Sequence, residues 1–443
     1  MGHLFDGLDD QLPDQVAVLT FDEKRGGLLT VPYLWDSAGV NPQYSKTSRW
    51  FDISEPRLPS ALLFLDERGF VTLSETYVRG SSLGNVLRGN AGAQAMIFGR
   101  PRHLKDEYQV QQFISTLDGL DEFAAFRTAI LDREQLNSDS RQVTVTLDSS
   151  DSVEWEVDGF KYSIQSAVSW SVGRSLSIDE SPAKLITVNE AGATFAEHFL
   201  AQAPIRALLV LVHGARLAWR SHKLRDDEFP LWMMDGSDRG AYEVEVQLAG
   251  TIDQHAYPVP DQNAFGLSVV RLSDLGPAGM ARWIELYADP DLQRAVQPAV
   301  EVLNGASRFL EPQLMMLAIS LDSFGFYRFG DGRRRTIADH ILKCLEAAQL
   351  DWPEIGSRVG IAHAIAAVNN DLKHPDRRTS PSIDVLSAVT SLAKIVARAQ
   401  VLDLLGLDDR FRKKFLSYND ASNAIRAFTE RGLKVNDSGL FLE

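Results

Sequence analysis

Ala366-Ala367-Val368-Asn369-Asn370-Asp371-Leu372-Lys373-His374-Pro375 decides how the second half of this 443-residue chain is read. An apolar helical pattern runs there into two amides, an acid, a lysine and a histidine before proline stops it. Because a helix turns about 100° per residue, His363, Asn370 and His374, spaced seven and four apart, fall within roughly 40° of one another. The opposite face, carrying Ile361, Ile365, Ala366 and Val368, is expected to be buried. His374 supplies a proton-transfer group near neutral pH, and Lys373, Arg377 and Arg378 place cations beside it, a set suited to phosphodiester chemistry. The same residues also make an ordinary helix C-terminus, with cations at the negative dipole end and Pro375 as the stop.

Outward from this stretch the helical period holds throughout the last third of the chain. Candidate helices cover 278–287, 291–303, 309–329, 336–348, 354–372, 382–405 and 408–417. Leu310, Leu314, Leu317, Ala318 and Leu321 form one apolar seam, and Val385, Val389, Leu392, Ile395, Val396 and Ala399 another. A bundle buries such seams against each other. Pro258, Pro260, Gly276, Pro277 and Gly279 thin out regular structure before it, which puts the main boundary between about 258 and 280.

The first two hundred residues read instead as short strands bounded by turn residues. Segments 16–21 and 28–33 flank a glycine-bearing turn, 62–65 and 70–73 repeat the pattern, and 96–98, 108–116, 143–147, 153–157, 162–171 and 185–188 follow. A helix is expected over 118–131, a glycine-rich loop over 79–92, helices over 195–202 and 205–222, and a strand-like return over 226–256. The expected fold is therefore α+β and multidomain. It combines a strand-rich, antiparallel, sandwich- or barrel-like domain with inserted helices over 1–270 and an all-helical bundle over 278–430.

With 44% hydrophobic residues the chain can bury ordinary cores, and no apolar stretch approaches the roughly 20 residues of a membrane span, the longest being 205–213. The acidic opening lacks the basic-then-apolar order of a signal peptide, so a cytoplasmic protein with no membrane partner is expected. Cys344 is the single cysteine, which excludes an intrachain disulfide and cysteine-rich zinc sites. His340 and Cys344 sit four apart on an expected helix but lack further ligands nearby, so Cys344 reads as a core residue and no metal or cofactor is expected. The net charge of −15 argues against nonspecific coating of nucleic acid. Its distribution is uneven: residues 1–277 hold 24 Lys and Arg against 39 Asp and Glu, whereas residues 278–443 hold 21 of each. The second part is thus balanced, with basic clusters at 333–335, 373–378 and 410–414. The phosphate-cradling loop, the nucleophile elbow, the HExxH zinc motif and the zinc-deaminase pattern are all absent from the sequence.

The order of parts resembles bacterial ApeA-like proteins, in which an N-terminal domain precedes a HEPN domain. The resemblance is carried by the opening hairpin, Gly69-Phe70-Val71-Thr72-Leu73, Leu117-Asp118-Gly119-Leu120-Asp121-Glu122-Phe123, the run from Phe309 to Leu321, and the motif from Asn369 to Pro375. It implies cytoplasmic antiviral defence by abortive infection, through a dimeric HEPN endoribonuclease that cleaves transfer RNA or other host or phage RNA without a metal. It further implies that a phage or host trigger acts through the N-terminal domain. In that family an arginine stabilises phosphate charge, and a histidine a few residues on transfers a proton as the ribose 2′-hydroxyl attacks phosphorus. Carried over here, the histidine is His374, the polar residue is Asn370, and Asn369 stands at the arginine position. Lys373, Arg377, Arg378 and His363 would hold RNA. Asparagine brings no positive charge, so the resemblance leaves two readings open: a nuclease with weakened or altered chemistry, and a noncatalytic module that dimerises and binds RNA or nucleotide while the N-terminal domain senses a partner.

Overall fold

The computed structural model describes residues 1–5, 15–22, 26–34, 47–52, 54–82, 86–104, 108–135, 141–172, 176–179, 182–260, 265, 268–374, 381–417 and 419–442. The chain forms two compact units, the first from 1–120, 126–202 and 218–260, the second from 121–125, 203–217 and 261–443. The fold is α+β, a barrel-and-sheet unit followed by an all-helical one.

In the first unit, β1 (Gly2–Phe5), β2 (Gln15–Asp22), β3 (Gly26–Tyr33), β4 (Ala61–Asp66), β5 (Gly69–Ser82) and β6 (Leu87–Ile97) pair in the order β1-β2-β3-β6-β5-β4. Since β1 also pairs with β4, the six strands close into an antiparallel barrel. Period-two alternation on β3 sends Leu29, Val31 and Tyr33 inward to meet Leu62, Phe64, Trp50 and Phe51. The expected glycine-rich loop over 79–92 is corrected here: its two ends are strand, the ends of β5 and β6. The glycines serve close approach, because a Cβ on Gly89 would stand 2.2 Å from the Phe51 ring and one on Gly92 2.7 Å from that of Tyr77.

The ladder continues from β6 through β16 (Asp238–Leu248), β15 (Trp219–Trp232), β7 (Val110–Leu117), β14 (Lys184–Ala193), β11 (Phe160–Gln165) and β10 (Ser152–Val157), all antiparallel. Two separate ribbons, β8 (Ala129–Gln135) with β9 (Arg141–Leu147) and β12 (Ser169–Val172) with β13 (Leu176–Asp179), also belong to this unit. Phe113, Leu224, Phe229, Val244 and Val246 form its core with Phe195. The expected helix over 118–131 shrinks to Leu120–Ala124 followed by β8. The expected helix over 205–222 is also corrected: one helix runs Phe195–His213, Gly214 at φ +68° ends it, and Trp219 already belongs to β15.

The second unit is built from the helices Leu272–Tyr287, Pro290–Leu303, Leu310–Phe329, Ile337–Ala347, Arg358–Lys373, Ile383–Leu404, Asp409–Ser417 and Asn419–Glu430. Most of each seam read from sequence is buried, Leu314, Leu317, Ala318 and Leu321 on one helix and Val389, Leu392, Ile395, Val396 and Ala399 on another, while Leu310 and Val385 are half-buried. Gly276 and Pro277, expected in a linker, lie inside Leu272–Tyr287, where Gly276 at φ +58° makes a kink. A hairpin of β17 (Lys434–Val435) and β18 (Phe441–Leu442), unread in the sequence, closes the chain. Contrary to the span estimate from sequence, Phe195–His213 and Ile383–Leu404 are long and apolar enough to cross a membrane by length and composition, and most of each apolar window is buried within the protein.

Arg398 ties part of this unit together. It is 4% exposed, and its guanidinium donates to the carbonyls of Leu211 and Val212 at 2.8 Å each while pairing with Asp420 at 2.8 Å. It thereby satisfies two of the carbonyls that the C-terminus of Phe195–His213 leaves without helical partners.

Candidate functional site

Ser357 starts the helix Arg358–Lys373 as its N-cap, accepting from the Gly360 amide at 3.1 Å. The terminal hairpin then lies on the first turns of this helix. A Cβ on Gly360 would stand 2.4 Å from the Asn436 carbonyl, and one on Gly439 would stand 2.6 Å from the Ala364 amide nitrogen. Gly439 takes φ +77°, which only glycine adopts without strain. On the same side His363, half-buried, donates from Nδ1 to the Asp437 carbonyl at 2.9 Å. A carbonyl can only accept, so this contact assigns the ring proton to Nδ1 and leaves Nε2 as the basic atom of the neutral ring.

Ile361, Ile365, Ala366 and Val368 are buried, as the periodicity requires. Asn370 is half-buried, Lys373 is exposed, and His374 is exposed at the C-cap with φ −120° and ψ 85°. The helix therefore ends with an imidazole and an ammonium in solvent one turn beyond an amide. Asn369 is placed differently. It is fully buried, and neither Oδ1 nor Nδ2 has a hydrogen-bond partner among the described residues. Arg377 and Arg378 lie outside the described residues.

One pair near the helix escaped the sequence reading. His340 Nδ1 donates to Asp322 Oδ1 at 2.6 Å, while His340 Nε2 is buried without a partner among the described residues, beside the rings of Phe326 and Phe329. The two residues come from different helices, 18 positions apart, so no local spacing could have joined them. Asp339 is held below the usual carboxylate range, first by the Thr336 hydroxyl and amide, with smaller contributions from His340 and His363. Cys344 points inward, its thiol pushed up to about 12 by burial and donating to the Leu321 carbonyl at 3.5 Å. No group of three or more His, Cys, Asp or Glu residues able to hold a metal occurs among the described residues.

The other basic clusters make internal contacts. Arg335 pairs with Asp331 and lies over the Phe329 ring at 3.7 Å, and Lys414 donates to the carbonyls of Ser268 and Val269 at 2.8 and 2.9 Å. Arg412 pairs with Asp409. Among the described residues, the Arg358–Lys373 helix end thus offers an accessible proton-transfer group, an accessible cation and a partly accessible amide.

No curated protein and no solved structure matches the chain. The family model of ApeA N-terminal domain 1 matches residues 6–228, from just after β1 into β15, half of the whole length. By that match, the chain belongs to the family defined by ApeA N-terminal domain 1.

Proposed function

We propose that the helical unit is a HEPN-type domain acting on RNA in antiviral defence, cleaving it without a metal through attack of a ribose 2′-hydroxyl on the adjacent phosphorus. The observation that carries this reading is the solvent-exposed His374 at the end of a helix, with Lys373 exposed beside it and Asn370 four residues back on the same face. In the reaction a base takes the 2′-hydroxyl proton, the new O–P bond closes a 2′,3′-cyclic phosphate, and an acid protonates the departing 5′-oxygen. His374 serves one of these proton transfers. Asn370 orients the phosphate or the imidazole, and Lys373, with Arg377, Arg378 and His363, holds the RNA backbone. A second protomer completes the cleft, so the working form is a homodimer in the cytoplasm.

Asn369 supplies no charge where the family motif carries arginine. Loss of one electrostatic stabiliser costs on the order of 10²–10³ in rate, so weak catalysis is expected. The burial of Asn369 favours a second reading, in which the helical unit dimerises and binds RNA or nucleotide without cutting, and the barrel unit senses a phage or host component. One experiment separates the two. The purified chain is incubated with transfer RNA and total RNA in EDTA, beside His374→Ala, and products are examined for 2′,3′-cyclic phosphate ends. Cleavage lost in His374→Ala supports the nuclease. Binding that weakens steeply with salt, without cleavage, supports the module. Identical behaviour of both proteins in cleavage and binding removes His374 from either role.

A further inference from the structure

Where the helix Leu310–Phe329 ends, rings and cations gather on the surface of the helical unit. Phe326 is 46% exposed. Phe329, three residues on, is half-buried, with the Arg335 guanidinium over its ring at 3.7 Å and the Lys343 ammonium at 5.4 Å. Both rings also meet the His340 imidazole, Phe326 edge-on at 6.3 Å and Phe329 tilted at 5.8 Å. Because His340 Nδ1 donates to Asp322, Nε2 is an acceptor, and it is buried against these rings without a partner among the described residues. Such an atom costs free energy that an incoming N–H recovers.

The acids around the rings are engaged. Asp331 pairs with Arg335 and more loosely with Arg333, Asp339 accepts from the Thr336 hydroxyl, and Asp322 accepts from His340. The Arg333 side chain is still 82% exposed, and Arg334 is exposed with no partner among the described residues. Connectivity brings this patch to the end of the bundle that carries His374. Cys344 donates to the Leu321 carbonyl and a Cβ on Gly325 would collide with His340, so Leu310–Phe329 and Ile337–Ala347 run antiparallel. Arg358 reaches back to the Leu350 carbonyl at 2.7 Å, and the chain returns a second time along Arg358–Lys373. The turn 330–336 and the Lys373–His374 helix end therefore lie at the same end.

We propose that this patch is a base-stacking subsite for single-stranded RNA. A base stacks on Phe326 as that ring turns off His340, an N–H on the base edge donates to the uncovered Nε2, and Arg333 with Arg334 holds the flanking phosphates. Flat rings bounded by cations match a strand in which flat bases alternate with anions, and every base carries both a face to stack and an N–H to donate. The inference rests on the reading that the helical unit takes RNA, cut or uncut, and adds the residues that grip the strand beside the helix end.

The test uses the full chain and a fluorescein-labelled 2′-O-methyl RNA octamer, which 2′-hydroxyl attack cannot cleave, followed by anisotropy over a series of KCl concentrations. An abasic octamer with the same backbone is the control. The variants are Phe326→Ala, Phe326→Trp and the doubly substituted Arg333→Ala/Arg334→Ala, all at exposed positions, with circular dichroism confirming the fold. Phe326→Ala should weaken binding at least about fivefold with an unchanged salt slope, Phe326→Trp should keep it, and the octamer with bases should bind at least about fivefold tighter than the abasic one. The double variant should lower the slope of log affinity against log salt by about 1.4, two single-strand phosphate contacts at ~0.7 each. Full affinity of Phe326→Ala, equal binding of the abasic strand, or an unchanged slope in the double variant overturns the proposal. No binding by the unsubstituted chain removes the RNA reading as a whole and this subsite with it. Binding lost in Lys373→Ala/His374→Ala yet untouched by the patch variants removes the subsite alone.

Discussion

Replacing Asn369 by alanine should stabilise the helical unit. The side chain is fully buried with both amide atoms unpartnered among the described residues. Each unsatisfied buried polar group costs about 1–3 kcal/mol. Alanine also gains about 0.5 kcal/mol of helix propensity over asparagine. Against this stand the void left by three heavy atoms, about 0.7 kcal/mol for ~30 Å³ at the usual cavity coefficient, and roughly 1 kcal/mol of lost dispersion contacts. With the amide counted as one such group, the balance favours Asn369→Ala by up to about 2 kcal/mol, a rise in melting temperature of up to about 6 °C for a unit of this size. Urea denaturation followed by helical ellipticity, with equal slopes for both proteins, measures it. A destabilisation beyond 1 kcal/mol would show that the amide is fully hydrogen-bonded in solution, and the reasoning about its burial would collapse.

Three further outcomes follow from other parts of the molecule. Arg398→Ala removes the guanidinium from the Leu211 and Val212 carbonyls and from the half-exposed Asp420, and should cost about 2–5 kcal/mol in urea denaturation, chiefly from the two carbonyls left unpaired; a loss below 1 kcal/mol would mean that water replaces it freely. Gly439→Ala forces a side chain into the left-handed region and toward the Ala364 amide, so about 1–3 kcal/mol should be lost, with faster amide exchange in the first turns of Arg358–Lys373; unchanged exchange would detach the hairpin from the helix. In the first unit, burial holds His198 below its usual range, while its Nε2 donates to the Val110 carbonyl and its Nδ1 meets the Thr187 hydroxyl. The unfolded chain therefore takes up the proton first. Stability is full above about pH 6.5 and falls as pH drops below that value, a decline that His198→Gln should flatten in melting curves.

The helices of the second unit were legible because each buries one stripe against its neighbours, and the stripe is written at a period that no other structure shares. Thr336 and Ser382 stand as N-caps where those helices were expected to start, whereas the helix expected from 354 begins only at Arg358, behind its Ser357 cap. Asn419–Glu430 was missed because two of its buried residues, Ala421 and Ala424, are alanines, which leave Phe428 as the large apolar mark on that stripe. In the first unit the hairpins were read from their turns, yet closure of the barrel was not. Closure depends on β1 reaching β4, more than fifty residues away, and on glycines packing against rings, neither of which leaves a local pattern. Trp219 to His222 misled for a related reason. An apolar run before Gly214 continues in period past the glycine, and only the ladder with β7 makes the later part a strand. At the site, the accessible face of Arg358–Lys373 could be read from spacing, whereas the Asp322–His340 pair could not.

That spacing also bears on which asparagine belongs with His374. Residues five apart on a helix differ by about 140° in direction, and residues four apart by about 40°. Within one chain Asn369 and His374 therefore look to different sides, the first into the bundle and the second to solvent, while Asn370 lies on the side of His374. The same geometry separates the two amides in experiment. Asn370→Ala should leave stability within about 0.5 kcal/mol, as partly exposed positions do, and lower RNA cleavage or binding at least tenfold. Asn369→Ala should raise stability and leave RNA behaviour within about twofold, since its amide does not reach solvent. If the two substitutions exchange these effects, Asn369 turns outward when RNA is bound, and the site is the one the family motif describes rather than the one the isolated helix presents.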